Sequence, residues 1–303
     1  MPRIGVDLGG SKIELIALDD AGRSLHRERI ATPAGDYAAT LDAIAALVAR
    51  CEAAIGERAT VGVGTPGSLS PASGLIRNAN STCLNGRALD RDLAARLGRE
   101  VRIANDADCF AVSEASDGAG AGAPVVFGVI LGTGVGGGIV IGGQLLRGAN
   151  GIAGEWGHTP LPLPGADDLP LPQCYCGRAG CIETYLSGPG MAAEHTRLTG
   201  LSLSPREIAA EAEQGGQCSE ATMERYERRL ARALAGIINV LDPQVIVLGG
   251  GLSQLERLYR NVPRLWGEWV FSDVVTTRLM PAAHGDASGV RGAAWLWPAG
   301  DRA

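Results

Sequence analysis

A chain of 303 residues that is 46% hydrophobic and 20% charged can bury two cores of ordinary size. Its 44 glycines cluster without a Gly-X-Y period, which excludes collagen, and the apolar content excludes an intrinsically disordered chain. A formal net charge of −6 gives no electrostatic footprint for nucleic acid or an anionic membrane, so neither is expected as a partner.

In chain order, residues 3–8 read as a strand that ends in Gly9-Gly10, followed by a second strand over 13–18. The turn Asp19-Asp20-Ala21-Gly22 leads to a third strand over 24–30. Apolar Leu41, Ile44, Leu47, Val48 and Cys51 at helical spacing predict a helix over 37–54. Residues 60–64 return as a buried strand, 89–97 as a helix, 101–104 as a strand, and a further helix runs from Asn105-Asp106 to about residue 115.

The second half opens the same way, with a strand over 125–131, the turn Gly132-Thr133-Gly134, a strand over 138–141 and a hairpin partner over 144–147. A helix over 221–241 and a strand over 245–248 then lead into Gly249-Gly250-Gly251. A hairpin with a glycine turn thus appears near residue 9 and again near residue 133, the mark of an internal structural repeat. Two such α/β halves predict a cleft between domains. Residues 118–146 carry no charge, but their eleven glycines make a poor membrane helix, and strand–turn–strand fits better. The amino terminus lacks a charged region followed by a long apolar run, so no signal peptide is expected and a cytoplasmic location is.

Asp7-Leu8-Gly9-Gly10-Ser11-Lys12 places a carboxylate at a strand end, then glycines, a hydroxyl and a cation. Glycines let backbone amides approach a phosphate, and Asp7 could hold Mg²⁺ through water. Lys12 is the only lysine beside 26 arginines, as expected where a compact ammonium is needed inside a glycine turn. The turn Gly132-Thr133-Gly134-Val135-Gly136 repeats the logic, and Gly249, Gly250 and Gly251 add a third cluster: two for phosphates and one for a nucleoside. Asn105-Asp106 has two readings, a helix N-cap or a carboxylate that takes a proton from an attacking hydroxyl.

Seven cysteines include three crowded into Cys174, Cys176 and Cys181. With His158 they form H-x15-C-x-C-x4-C, a permitted structural zinc set, while Cys51, Cys109 and Cys218 read as ordinary packing or surface residues. Between His158 and Cys174 the prolines 160, 162, 164, 170 and 172 read as a loop that zinc would anchor.

Taken together, Asp7 to Lys12, Asn105-Asp106-Ala107, Leu131 to Gly137, Gly154-Glu155-x-Gly157-His158, Cys174-x-Cys176-Gly177-x-x-Gly180-Cys181-x-Glu183 and Val247-Leu248-Gly249-Gly250-Gly251 resemble the ROK family of sugar kinases. The run from Asn78 to Gly86 and the carboxy-terminal Ser288 to Pro298 resemble its bacterial fructokinase branch. The resemblance implies an actin/hexokinase-like (ribonuclease H-like) α/β fold of duplicated domains with MgATP and sugar in the cleft. It implies an amino-terminal domain over 1–117, onto which 289–303 packs back, and a second domain over 118–288 with a zinc loop over 158–181. Asp106 is then the general base. Asn80, Asn105, Glu155, His158 and Glu183 hydrogen-bond the sugar, with His158 using its other ring nitrogen for zinc.

The implied activity is transfer of the ATP γ-phosphate to the 6-hydroxyl of fructose, with glucokinase or N-acetylhexosamine kinase as the alternative and a non-catalytic sugar sensor behind both. The family also forms homodimers. Three departures from the family pattern stand out: Ser11 replaces a usual Thr, Cys83 an aromatic beside the sugar loop, and Asp108 a common Asn.

Overall fold

The computed structural model describes residues 1–298. Strands β1 (Arg3–Leu8), β2 (Lys12–Leu18) and β3 (Ser24–Ala31) form an antiparallel meander. Helix α1 (Tyr37–Ile55) starts where Asp36 accepts the Ala39 N–H and stops at Gly56, whose φ of 78° lies in the left-handed region. Its buried stripe is the predicted one, Leu41, Ile44, Leu47, Val48 and Cys51. Next come β4 (Thr60–Thr65), the short ribbon β5 (Ser68–Leu69) and β6 (Ile76–Arg77), α2 (Leu89–Leu97), β7 (Val101–Asn105) and α3 (Asp106–Ser116).

The second half contains β8 (Val125–Leu131), β9 (Val135–Ile141) and β10 (Gln144–Leu145), then α4 (Ile182–Leu186), α5 (Gly188–Thr199), α6 (Pro205–Glu213) and α7 (Gln217–Leu241). It closes with β11 (Val245–Gly249), α8 (Glu256–Leu265), β12 (Arg278–Pro281) and α9 (Ser288–Trp295). The two large sheets have the orders β3-β2-β1-β4-β7 and β10-β9-β8-β11-β12. In each, an antiparallel hairpin supplies the strand that then takes parallel partners. This is the repeat that the two glycine hairpins predicted.

The described residues pack into two compact units, one of Met1–Gly122, Gly138–Ala153 and the chain from Ala283 on, the other of Ala123–Gly137 and Gly154–Ala282. The expected division at 117/118 and 288/289 therefore differs from the packing. Residues 138–153 belong with the first unit because Gly138 lies on α3, where a Cβ would meet the Ala107 carbonyl at 2.7 Å. Arg147 holds the same segment by donating to the Ile103 carbonyl at 3.0 Å.

Within the first unit, α9 lies directly on the backbone of the sheet and of α3. A Cβ at Gly5, Gly62 or Gly292 would run into the carbonyls of Val290, Ala293 or Cys109 respectively. Trp297 finishes the contact, its indole N–H donating to Val61 at 2.7 Å with the Arg102 guanidinium 3.8 Å from its ring centre. Of the segment expected to fold back, residues 299–303 lie outside the described residues.

Among the described residues, no helix is long and apolar enough to cross a membrane. The uncharged stretch instead carries β8, β9 and β10.

Candidate active site

In the first unit, Asp7 sits near the end of β1 and opposite Glu14 of β2. The turn between these strands is closed by the Gly9 N–H on the Lys12 carbonyl at 3.0 Å, leaving Gly10, Ser11 and Lys12 exposed at its tip. Thr32, which carried no sequence signal, braces the turn. Its hydroxyl donates to the Gly9 carbonyl at 2.7 Å and its N–H to the Ser11 carbonyl at 3.1 Å. Burial, with the Asp106 and Glu14 carboxylates nearby, pushes the Asp7 carboxyl up to about 6, against the opposing pull of Lys12 and Arg29.

Asn105 and Asp106 occupy the junction of β7 and α3. Both sequence readings of the pair are realised, by different side chains. Asn105 is the N-cap, its side-chain oxygen accepting the Asp108 N–H at 2.6 Å, so only its amide NH₂ is left to donate to a ligand. Asp106 is the first residue of the helix and accepts the Ala107 N–H at 2.8 Å. Its side chain is accessible to solvent, yet the protein packed around it raises its pKa by desolvation, which outweighs the backbone hydrogen bonds. Asp108 is half-buried, with its Cα against Gly138.

Asn80 is exposed on a constrained loop. Asn78 before it adopts a φ of 58°, and the Asn85 amide clips Ala79 from both sides. Its oxygen accepts the Ala79 N–H at 2.9 Å and its nitrogen donates to the Ala79 carbonyl at 3.0 Å. Gly10 of the phosphate-type turn is near this loop, since a Cβ there would meet the Ser81 hydroxyl at 3.5 Å.

In the second unit, the turn 132–134 and the cluster 249–251 lie at the carboxyl ends of the neighbouring parallel strands β8 and β11. Ligands gather at such strand ends in open α/β sheets. Gly132 donates to the Gly134 carbonyl at 3.0 Å and accepts from Gly188 at 2.8 Å, which brings the positive amino end of α5 beside the turn. Thr133 is exposed at the tip. Gly250 has a φ of 82° and so little room that a Cβ would meet the Leu131 carbonyl at 2.5 Å.

Trp156 is buried under β9, donating to the Gly136 carbonyl at 2.9 Å and packing edge-on against Phe127. It seats the turn Trp156–His158, with Glu155 exposed on one side and His158 half-buried on the other. Glu183, expected as a sugar ligand, also braces the glycine hairpin. One carboxylate oxygen accepts the Val135 N–H at 2.9 Å and lies 2.8 Å from where a Cβ on Gly134 would stand.

His158, Cys174, Cys176 and Cys181 bring their four donor atoms within 4.8 Å of one another. His158 Nδ1 is 3.6 Å from the Cys174 sulfur, and the Cys176 and Cys181 sulfurs are 3.6 Å apart. Two sulfurs bound tetrahedrally to one zinc stand about 3.8 Å apart, given Zn–S bonds of about 2.3 Å, so the donor set fits that ion. Burial pushes the Cys181 thiol up to about 12, and a bound cation would reverse this by stabilising the thiolate. His158 Nε2 points the other way, 2.9 Å from the Tyr175 hydroxyl.

Comparison with known proteins shows the family. The ROK family model matches residues 3–299. The chain belongs to the ROK family of sugar kinases. It is 42% identical over 296 residues to N-acetyl-D-glucosamine kinase of Salmonella paratyphi B, covering 96% of this chain and 98% of that one.

Among solved structures, the ROK hexokinase from Thermus thermophilus is 31% identical with a TM-score of 0.87, covering 98% of this chain and 97% of that one. A ROK glucokinase from Streptomyces griseus, in complex with glucose and AMPPNP, is 29% identical with a TM-score of 0.74 and 98% and 99% coverage. The fold is therefore of the actin/hexokinase-like α/β class, and the activity is that of a sugar-kinase phosphotransferase using ATP.

Proposed function

We propose that this ROK family member phosphorylates N-acetyl-D-glucosamine, transferring the ATP γ-phosphate to its 6-hydroxyl. The observation that carries the choice of sugar is the 42% identity, across nearly the whole chain, to proteins named N-acetyl-D-glucosamine kinase. Fructose, the sugar favoured by the run 78–86 and the carboxy-terminal segment, gives way to what was the alternative. Those short runs cover far less sequence than the full-length match.

Asp106 is the general base in this reading. It is accessible, it stands at the end of a strand, and its raised pKa brings it nearer to that of a useful base at neutral pH. It takes the proton from the 6-hydroxyl as that oxygen attacks the γ-phosphorus, while the β–γ bridging oxygen leaves with ADP. The Asn105 amide, Asn80, Glu155, His158 and the free oxygen of Glu183 hold the remaining polar groups of the sugar.

Gly9, Gly10, Ser11, Lys12 and the 132–136 turn offer backbone N–H, hydroxyl and ammonium donors to the phosphates. Gly249, Gly250 and Gly251 take the nucleoside, and Asp7 holds Mg²⁺ through water. Phosphoryl transfer asks chiefly for positioning and charge neutralisation, which is what this set supplies. His158 with Cys174, Cys176 and Cys181 would hold zinc, which stabilises the loop and fixes the His158 tautomer so that Nε2 carries the proton and donates.

A coupled ADP-release assay of zinc-loaded protein with MgATP tests this against N-acetylglucosamine, N-acetylmannosamine, glucose, mannose and fructose. N-acetylglucosamine leads in kcat/KM if the reading holds. Fructose in front restores the branch-level resemblance, and silence on all five points to a sensor.

A further inference from the structure

We propose that Tyr175 is an internal competitor for the sugar: its phenol holds the His158 Nε2 hydrogen bond that a hexose hydroxyl needs, so the sugar binds by displacing it. This rests on the reading of His158 as a sugar ligand. The phenol oxygen is 2.9 Å from Nε2, and the two rings meet edge to face with centres 5.1 Å apart. With Nδ1 turned to the Cys174 sulfur and given to zinc when the metal is bound, Nε2 would bear the proton and donate to the phenol oxygen.

The tether is otherwise weak. Tyr175 is 83% exposed, an unusual state for an aromatic ring, and the Nε2 bond is the hydrogen bond that fastens its hydroxyl. Its backbone is held on both sides by Cys174 and Cys176, so it leaves by rotating its side chain rather than by moving the loop. A hydroxyl seated on His158 Nε2 is the protein group that most resembles the sugar hydroxyl this ring is assigned to bind.

Removing that hydroxyl leaves Nε2–H to water and to the sugar. An intramolecular hydrogen bond contributes modestly net of solvent, so the gain in affinity is about two- to tenfold. The experiment compares zinc-loaded wild type with Tyr175→Phe, which keeps the ring. Hexose dissociation constants are measured calorimetrically without nucleotide, beside kcat, both KM values, zinc content and Tm.

The proposal expects a lower sugar Kd and KM in the variant by that factor, with kcat, the KM for ATP, zinc content and Tm unchanged. A merely structural role would not tighten sugar binding selectively. An unchanged or higher sugar Kd in the variant, with the wild type binding and phosphorylating hexose, overturns the proposal alone. A wild type that binds no hexose overturns the sugar reading of His158 and the proposal with it.

Discussion

Asp106 and His158 are positioned by opposite means. Asp106 opens a helix at the end of a strand whose neighbour, β4, pairs with it up to Thr65 and Asn105. The helix behind it is packed against α9 so closely that Gly292 leaves no room for a side chain. Its place is set by the core of the first unit. His158 sits in a single turn on a proline-rich connection with little regular structure between β10 and α4, and depends on the Trp156 plug and three cysteines. A carboxylate at a strand–helix junction inherits the rigidity of a hydrogen-bonded ladder, whereas a ring on a loop has to be cross-linked into position.

The sharpest way to break this contrast is to change the chemistry of Asp106 without its shape. Asp106→Asn should lower kcat about 10²–10⁴-fold, the range for a lost general base, with zinc content retained. The folded-state pKa is raised, so the charged form opposes folding above the carboxylate range, and the Tm of the variant at pH 7.5 should be equal or higher. If Asp108→Asn loses turnover instead, the base has been misassigned.

Cross-linking is tested by Cys176→Ser together with chelation of the wild type. Both should remove the metal, lower Tm and weaken sugar binding about 10–100-fold, the effect of loosening a supported ligand. The KM for ATP should move far less. Metal analysis of protein purified without chelator should find about one zinc per chain, as four ligands imply. A chain with no metal and full sugar affinity would show that the loop needs no cation.

Asp7 gives a smaller effect with a definite sign. Its carboxyl is pushed up to about 6, so if Asp7 holds Mg²⁺ as proposed, activity should fall as the pH drops through 6 and this carboxylate becomes neutral. The linkage to stability runs the other way, because the folded state holds this proton more tightly than the unfolded chain. Its contribution is therefore lost as the pH rises from the ordinary carboxylate value to about 6. Asp7→Asn should be less active yet melt a few degrees higher at pH 7.5, as read by calorimetry.

The smallest expected effect is at Asn85, which acts through its neighbour. Asn85→Ala should raise the sugar KM about three- to tenfold by unclipping Ala79, as loss of one or two hydrogen bonds allows. The KM for ATP and kcat at saturation should stay as they are. Equal rises in both KM values would make the clip a general stability element.

Much of the fold was legible because its signals are local. Apolar runs broken by Gly9-Gly10 and Gly132-Thr133-Gly134 mark the hairpins, and β1, α2 and β8 span the residues expected. Helices α4, α5, α6, α8 and α9 and strand β12 were not anticipated. Strand β12 has just four residues, and its pairing with β11 depends on a neighbour distant in sequence.

The residues of the candidate site were readable by type and spacing, but their partners were not. Asn105 spends its side-chain oxygen on a cap, and Glu183 spends one of its own on Val135. Thr32 and Tyr175 carry no signal of their own, and the motif that contains Asn85 does not reveal its clip on Ala79.

By itself the sequence determined the repeated α/β pattern, the family and the His/Cys donor set, since glycine turns, hydrophobic period and ligand spacing are written in consecutive residues. Tertiary structure alone decided that 138–153 joins the first unit, because that depends on Gly138 fitting against the backbone of α3. It also decided which face of each polar group stays available, that Asp106 is more open to solvent than the half-buried Asp108, and that Tyr175 rests on His158. Hydrogen bonds between residues far apart in the chain exist only once the cores have formed, and they determine which donors and acceptors remain free for chemistry.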